Sequence, residues 1–341
     1  MIVSTAESLW NKLKQTAARK PCMIVLPEGE DLRIMKASEQ LAAQHLAYPI
    51  LLGDPQIIQD KARNEHISLK DISIIQPSTN PDRHAFIELL MEIRKSKGIT
   101  MKQAEHLVDD ILIHGCLMVK AHKADGFVGG ASRTTADTVR AGITIVGVDP
   151  SIGTVSGSFI IKVPQSSYGN NGWFVYADCA VVPHPNEQQL ADIAIAAAQT
   201  YEMFIEDEPR VALLSFSTKG SGRDHTVQCI QKAVEMVKIR APRINIDGEL
   251  QLDSALDEAV AKRKMKGQFS SVAGKANVLI FPDLNAGNIA YKLTQRLARA
   301  ETIGPVLQGL NGAVNDLSRG CSVDDIIKNV LITSVQKQRY N

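Results

Sequence analysis

CMIVLPEGEDLRIMKASEQLAAQHL, residues 22–46, changes period in its middle. The first five residues form an unbroken apolar run of strand length. From Leu32 onward apolar residues recur at helical spacing, and a polar turn, Pro27 to Asp31, separates the two. A continuous apolar strand followed directly by a helix belongs to a parallel sheet buried on both faces. The pattern returns at PILLG (49–53), GFVGG (126–130), VALLSFS (211–217) and VLIFPD (278–283), with helical stretches such as QQLADIAIAAAQTYEMFI (188–205) between. The fold class this predicts is α/β, with mainly parallel sheets covered by helices. Residues 157–182, GSFIIKVPQSSYGNNGWFVYADCAVV, depart from it: two strands around a polar turn at Gly169–Gly172 predict an antiparallel hairpin.

With 341 residues the chain is long enough for two domains. Asp149-Pro150 and Gly304-Pro305 are the candidate hinges, which puts residues 1–149 and 305–341 in one discontinuous domain and 150–304 in the other. Apolar residues make up 44% and charged residues 22%, normal for a protein that buries a proper core. With 38 basic and 37 acidic residues the net charge is +1, which gives no reason to expect a nucleic-acid or membrane surface. No apolar run approaches the ~18 residues of a membrane span. The five cysteines form no C-x-x-C pair, so no zinc site or disulfide framework is expected, and a reducing, cytoplasmic compartment suits them. The N-terminus lacks a signal-peptide core, and Leu9, Leu13 and Ala17 predict an amphipathic helix there.

The loops that follow the strands carry the candidate chemistry. They are EGEDLR with Arg33, ASRTTADTVR with Ser132, Arg133, Thr134, Thr135 and Arg140, TKGSGRD, and LNAGNIAYK with Asn288, Tyr291 and Lys292. Ligands of open α/β sheets bind beyond the carboxyl ends of strands, where helix N-termini point. Small residues there let backbone N–H groups approach an anion, and arginine adds a planar fork that matches phosphate. Each loop could equally be turn and cap residues, but four of one character favour a phosphorylated ligand. The Walker loop, the three-glycine dinucleotide fingerprint and the G-x-S-x-G elbow are all absent. His184 and His225 have no ligand-spaced partners and read as surface or cap residues. Asp247, Glu249 and Asp253 in DGELQLD read as solvated carboxylates at a strand end rather than a metal site, and no metal is expected elsewhere.

NDLSRGCSVDDIIKNVL (315–331) is the densest stretch. Ser322 and Asp325 fit a capping box, and Ile326, Ile327, Val330 and Leu331 supply the apolar stripe of the helix behind it. Capping leaves Arg319 unexplained. An arginine beside a helix N-terminus makes an anion site, and a carboxylate at its rim could take a proton from a nucleophile. Cys321 invites a rival, covalent reading, although no histidine stands near it in sequence to activate it.

Taken together, LPEGEDLR, RKSKGIT, TTADTVR, ALLSFSTKGS, DGELQLD, GKANVLIFPDLNAGNIAYKLTQRLA, GPVLQGL and NDLSRGCSVDDI closely resemble the phosphate acetyltransferase (phosphotransacetylase) family, nearly end to end. The resemblance implies two α/β/α domains of the isocitrate/isopropylmalate-dehydrogenase type, an active site in the cleft between them, and a homodimer. It implies acetyl transfer between acetyl phosphate and coenzyme A (or acetyl-CoA and phosphate), with coenzyme A as substrate and no prosthetic group. It also implies roles: Arg319 holding acetyl phosphate, Ser318 assisting, Asp325 as base for the thiol, and Arg33, Arg94 and Arg140 binding substrate or coenzyme. Thr134, Thr135, Asn288, Tyr291 and Lys292 would line the phosphate pocket. Arg133 departs from the family, which often has histidine or serine there; an added cation could tighten phosphate or alter acyl preference. The chain reads as the short form without a regulatory region. Two alternatives stay open: a phosphate butyryltransferase acting on a longer acyl chain, and a non-catalytic acetyl-CoA-sensing module.

Overall fold

The structure is a computed structural model that describes residues 6–265 and 267–339. Among the described residues eleven strands follow in chain order: β1 (Cys22–Leu26), β2 (Ala47–Leu52), β3 (Ser73–Ile75), β4 (Gly126–Gly129), β5 (Ser156–Lys162), β6 (Trp173–Ala177), β7 (Arg210–Leu214), β8 (Asn245–Leu250), β9 (Val278–Ile280), β10 (Glu301–Gln308) and β11 (Ala313–Asp316). The chain divides into two compact units: Trp10–Gly147 with Leu310–Asn341, and Val148–Gly309 with Met1–Leu9.

The first of these units is built on a five-stranded sheet of order β11-β4-β1-β2-β3, parallel throughout. Ile24, Val25 and Leu26 have no exposed surface, which is why β1 reads as an unbroken apolar run: both faces of the strand are covered. The following helix, Leu32–Ala43, starts where the Asp31 carboxylate accepts from the Arg33 N–H at 2.8 Å. It buries Ile34, Met35 and Leu41. The N-terminal helix spans Ala6–Arg19, with Leu9, Leu13 and Ala17 buried as the helical spacing predicts.

The other unit holds a six-stranded sheet of order β10-β5-β6-β9-β7-β8. Its β6, β9, β7 and β8 are parallel, and β5 pairs antiparallel with both β6 and β10. The expected hairpin is therefore present, with Phe159 opposite Tyr176 and Lys162 opposite Trp173. The Gly304-Pro305 step is not a hinge: it lies inside β10, where the register against β5 shifts between Ile303 and Val306. Proline has no N–H for the ladder and the strand bulges around it, while the unit runs on to Gly309.

Helix Leu284–Leu297 is seated by a close approach of backbone to backbone. Asp283 caps it by accepting from the Ala286 N–H at 2.9 Å. A Cβ on Gly287 would stand 2.1 Å from the carbonyl oxygen of Asp178, so only hydrogen fits. Gly287→Ala should therefore push the helix off the sheet and cost about 1–3 kcal/mol, read as a melting temperature lowered by a few degrees. An unchanged melting temperature would mean that the helix shifts freely.

Candidate active site

The loops after β1, β4 and β11 leave neighbouring strands of one parallel sheet. What joins the first two is a buried carboxylate. Glu28 follows β1 and is 5% exposed. Its Oε2 accepts from the N–H groups of Gly130 and Ala131 at 2.8 and 2.7 Å. Its Oε1 accepts from those of Ser132 and Arg133 at 2.6 and 2.8 Å, and from the Ser132 hydroxyl at 2.9 Å. Four successive N–H groups make an anion-binding nest. The expectation that this backbone cradle receives a substrate phosphate is corrected here, because an anion of the chain itself already fills it.

Arg33 joins all three loops. Its Nε and Nη2 donate to the Asp31 carboxylate at 3.1 and 2.7 Å. Its Nη1 donates to the carbonyls of Arg319 and Cys321 at 2.8 and 3.0 Å, and Nη2 to that of Ala131 at 2.8 Å. Burial alone would raise the Asp31 carboxyl, but the hydrogen bonds from Arg33 hold it below its ordinary range. A guanidinium has five N–H groups and all five are engaged. The reading of Arg33 as a phosphate ligand is thus replaced: it has no donor left, and it fixes the backbone from which Arg319 projects.

The side chains of Ser318, Arg319 and Asp325 are exposed. Ser318 Oγ accepts from the Gly320 N–H at 3.3 Å, and the Arg319 guanidinium makes no ion pair among the described residues. The capping box is present: Asp325 Oδ2 accepts from the Ser322 N–H and hydroxyl at 2.9 and 2.8 Å, and Ser322 Oγ accepts from the Asp325 N–H at 3.1 Å. Both bonds to the carboxylate fall on Oδ2, so Oδ1 remains for another partner. Cys321 is 6% exposed, and burial pushes its thiol up to about 11 against a smaller opposing effect of Arg33. A thiol so protonated near neutrality is a poor nucleophile, which weighs against the covalent reading.

Thr134 caps helix Thr135–Ile145, its Oγ1 accepting from the Asp137 N–H at 3.2 Å and donating to the Asp137 carboxylate at 2.7 Å. The Thr135 hydroxyl donates to Asp316 Oδ2 at 2.6 Å. Asp316 ends β11 and is 1% exposed, and its Oδ1 has no hydrogen-bond partner. Burial pushes this carboxyl up to about 6, with Thr135 and Thr138 pulling it down and the charge of Glu28 pushing it further up. Arg133 pairs with Asp110 at 3.2 Å and Arg140 with Asp137 at 3.0 Å, both largely in solvent. Arg94 follows helix Arg83–Ile93 and makes no ion pair among the described residues. The structure joins Arg33, Arg133, Thr134, Thr135, Ser318 and Arg319 in three contiguous loops; Arg94 and Arg140 make no hydrogen bond to those loops' other candidates.

Asn288, Tyr291 and Lys292 belong to the other unit and share helix Leu284–Leu297. Asn288 donates to the Cys179 carbonyl at 3.1 Å and accepts from Lys292 at 2.9 Å. Tyr291 stacks on Phe159 with ring centroids 4.0 Å apart. Here too a carboxylate fills a backbone nest: Asp178 accepts from the N–H groups of Gly157, Ala180, Val181 and Val182 at 2.6–3.2 Å. The reading of DGELQLD as solvated is corrected in the same way. Asp247 is buried against Lys219, and buried Glu249 accepts from Ser217 Oγ at 2.9 Å, Gly220 N–H at 2.6 Å and Gln231 at 2.8 Å. Asp253 alone of the three lies in solvent, paired with Lys264. No group of metal-ligating side chains occurs among the described residues. Sequence reading missed Glu28, Asp178 and Asp316; their one signal is an acid placed directly at the end of an apolar strand.

The phosphate acetyl/butaryl transferase family model matches residues 8–334. The chain is similar to the phosphate acetyltransferase of Acetivibrio thermocellus, 48% identical over 92% of this chain and 94% of that one. It is also similar to the solved structure of a phosphotransacetylase from Streptococcus pyogenes, with a TM-score of 0.93 and 39% identity over 98% of this chain and 99% of that one. A 4-hydroxythreonine-4-phosphate dehydrogenase from Klebsiella pneumoniae, 11% identical over 94% and 99% of the two chains with a TM-score of 0.50, shares the fold alone.

The burial of Asp316 has a pH signature. Its folded carboxyl titrates near 6, above the ordinary value of 3.8. Between those values the folded state binds more protons than the unfolded one, so stability falls as pH rises through this window and levels off above it. Asp316→Asn removes the effect. From pH 4 to 7 the variant should gain on the order of 2–3 kcal/mol relative to the unsubstituted chain, read from urea midpoints. Parallel pH curves for the two chains would refute this.

Proposed function

The chain belongs to the phosphate acetyl/butaryl transferase family, and from that premise we propose that it transfers an acetyl group reversibly between acetyl phosphate and coenzyme A, by direct attack of the thiol in a ternary complex. The observation that carries this reading is the 318–325 segment. Its backbone is pinned by Arg33, while the Arg319 guanidinium and one oxygen of Asp325 stay unengaged at a helix N-terminus. In the mechanism, Arg319 and Ser318 hold acetyl phosphate, and Arg319 offsets charge on the carbonyl oxygen as the tetrahedral centre forms. The free thiol titrates at about 8.5, so it needs a base, and Asp325 takes its proton as the sulfur–carbon bond forms and phosphate leaves. A positioned base is worth roughly 10²–10⁴ in rate. Arg94, Arg133, Arg140, Thr134 and Thr135 supply charge and hydroxyls to phosphate groups, and Asn288, Tyr291 and Lys292 are further phosphate-binding residues. Arg33 acts as the frame. No prosthetic group is required; coenzyme A enters as substrate.

Two further proposals accompany it. The protein acts in the cytoplasm, a reading supported by five cysteines without a disulfide. It also works as a homodimer. Ile289, Leu293 and Leu297 lie four residues apart on one helix, 57%, 51% and 80% exposed, an apolar stripe that a second copy would cover. Leu293→Glu should shift sedimentation equilibrium from dimer to monomer; a monomeric unsubstituted chain would end this proposal.

Thioester absorbance with acetyl phosphate and coenzyme A tests the reaction, and butyryl phosphate in the same assay tests the longer-acyl alternative. Intersecting double-reciprocal lines are expected, with Cys321→Ala retaining most activity. Asp325→Asn should fold normally and lose roughly 10²–10⁴ in turnover. Parallel lines, or label from acetyl phosphate trapped on Cys321, would establish the covalent route instead. A folded Asn variant with near-normal turnover would leave Asp325 as a helix cap.

A further inference from the structure

Buried carboxyls with an orphan oxygen are uncommon, and Asp316 is one that sits where β11 hands over to the Ser318–Arg319 loop. Thr135 and Thr138 face it from helix Thr135–Ile145, Gly130 from the loop after β4, and Glu28 from the loop after β1. The Asn329 amide from helix Val323–Arg339 donates to its backbone carbonyl at 2.9 Å. Glu28 is the titratable member of this set. The Oδ1 atom is crowded: a Cβ on Gly130 would stand 2.3 Å from it. The Thr138 hydroxyl lies near, yet makes no hydrogen bond of full geometry and is itself buried. So the site holds a carboxyl, one hydroxyl that donates to it, and three buried oxygens without partners: Asp316 Oδ1, Thr138 Oγ1 and Asn329 Oδ1.

A hydroxyl has one hydrogen to give. While Asp316 is ionised, Thr135 spends that hydrogen inward in a charge-assisted bond and turns only lone pairs outward, where an anion is repelled. Thr135 is partly exposed and is the first residue of its helix. A proton on Asp316 removes the charge that holds the Thr135 hydrogen; placed on Oδ2, it donates to Thr135 Oγ1 outright. Thr135 is then free to donate to a phosphate oxygen. An incoming anion, close to a carboxylate already beside Glu28, favours the same protonation.

We propose that Asp316 is a positioning residue that sets the hydrogen-bond polarity of Thr135, and that binding of a phosphate-bearing substrate at Thr135 is coupled to uptake of one proton by Asp316. This rests on the placement of Thr135 in the phosphate site under the proposed function. That a carboxyl whose ordinary value is 3.8 is held near 6 puts the coupling in the range where the enzyme would work.

The test is calorimetric titration with acetyl phosphate, in the absence of coenzyme A, from pH 6 to 8.5 in two buffers of different ionisation enthalpy. From pH 7 upward the ligand is fully ionised, so proton uptake there reports on the protein. The unsubstituted chain should take up a proton on binding, and its dissociation constant should rise by up to about tenfold per pH unit. Asp316→Asn and Thr135→Val should each bind without proton uptake and with little pH dependence, whereas Thr135→Ser should keep both. Should the Asn variant fail to fold, the Val and Ser pair decides the matter. Equal proton uptake in all variants, or none in the unsubstituted chain, would overturn the proposal while leaving the reaction intact. A chain that neither binds nor turns over acetyl phosphate would overturn the proposed function and this coupling together.

Discussion

One carboxylate lying under four backbone N–H groups organises the candidate site. Without Glu28, the loop from Gly130 to Arg133 would present a bare positive nest, and its geometry would depend on whatever anion arrived. With Glu28 in place the loop is rigid before any ligand is present, and Thr134 and Thr135 emerge from it in fixed positions. Arg33 extends the same frame to the next loop by holding the carbonyls of Arg319 and Cys321. Removing either partner would strand a buried charge or several buried N–H groups, which is far more costly than the net worth of the bonds themselves.

Ordering backbone and side chain separately has a chemical point. Fixing a residue's backbone costs about 1–2 kcal/mol of conformational entropy. In the 318–325 segment that cost is met during folding, by bonds from Arg33 and by the Ser322–Asp325 box, while the reacting ends stay solvated and adaptable. A substrate then has to immobilise a few side-chain torsions and not a loop, which is how pre-organisation lowers a reaction barrier.

Much of this was legible in the amino acids. The five apolar runs are β1, β2, β4, β7 and β9, the polar turn at Gly169–Gly172 does join an antiparallel pair, and Ser322 with Asp325 does close a capping box. These features are local: period, turn chemistry and a four-residue spacing decide them. What stayed hidden is long-range. Glu28 and its nest are over a hundred residues apart, as are Thr135 and Asp316 and the two ends of every Arg33 bond to the 319–321 carbonyls. An acid after a strand looks the same whether it meets water or four N–H groups, so the sequence alone points to a solvated Glu249 where the structure buries it. Arginine near serines suggests a phosphate ligand, and nothing local reveals that backbone carbonyls claim its donors first.

Pro305 has a consequence of a different kind. β10 ends the strand order of its sheet among the described residues, and the outer strand of a sheet is where a foreign strand can join. Pro305 and the register break between Ile303 and Val306 make β10 an irregular strand for such a partner to match. The residue that punctuates the sequence like a domain boundary is, in the sheet, an irregularity that a regular strand arriving from a crowded solution would not match.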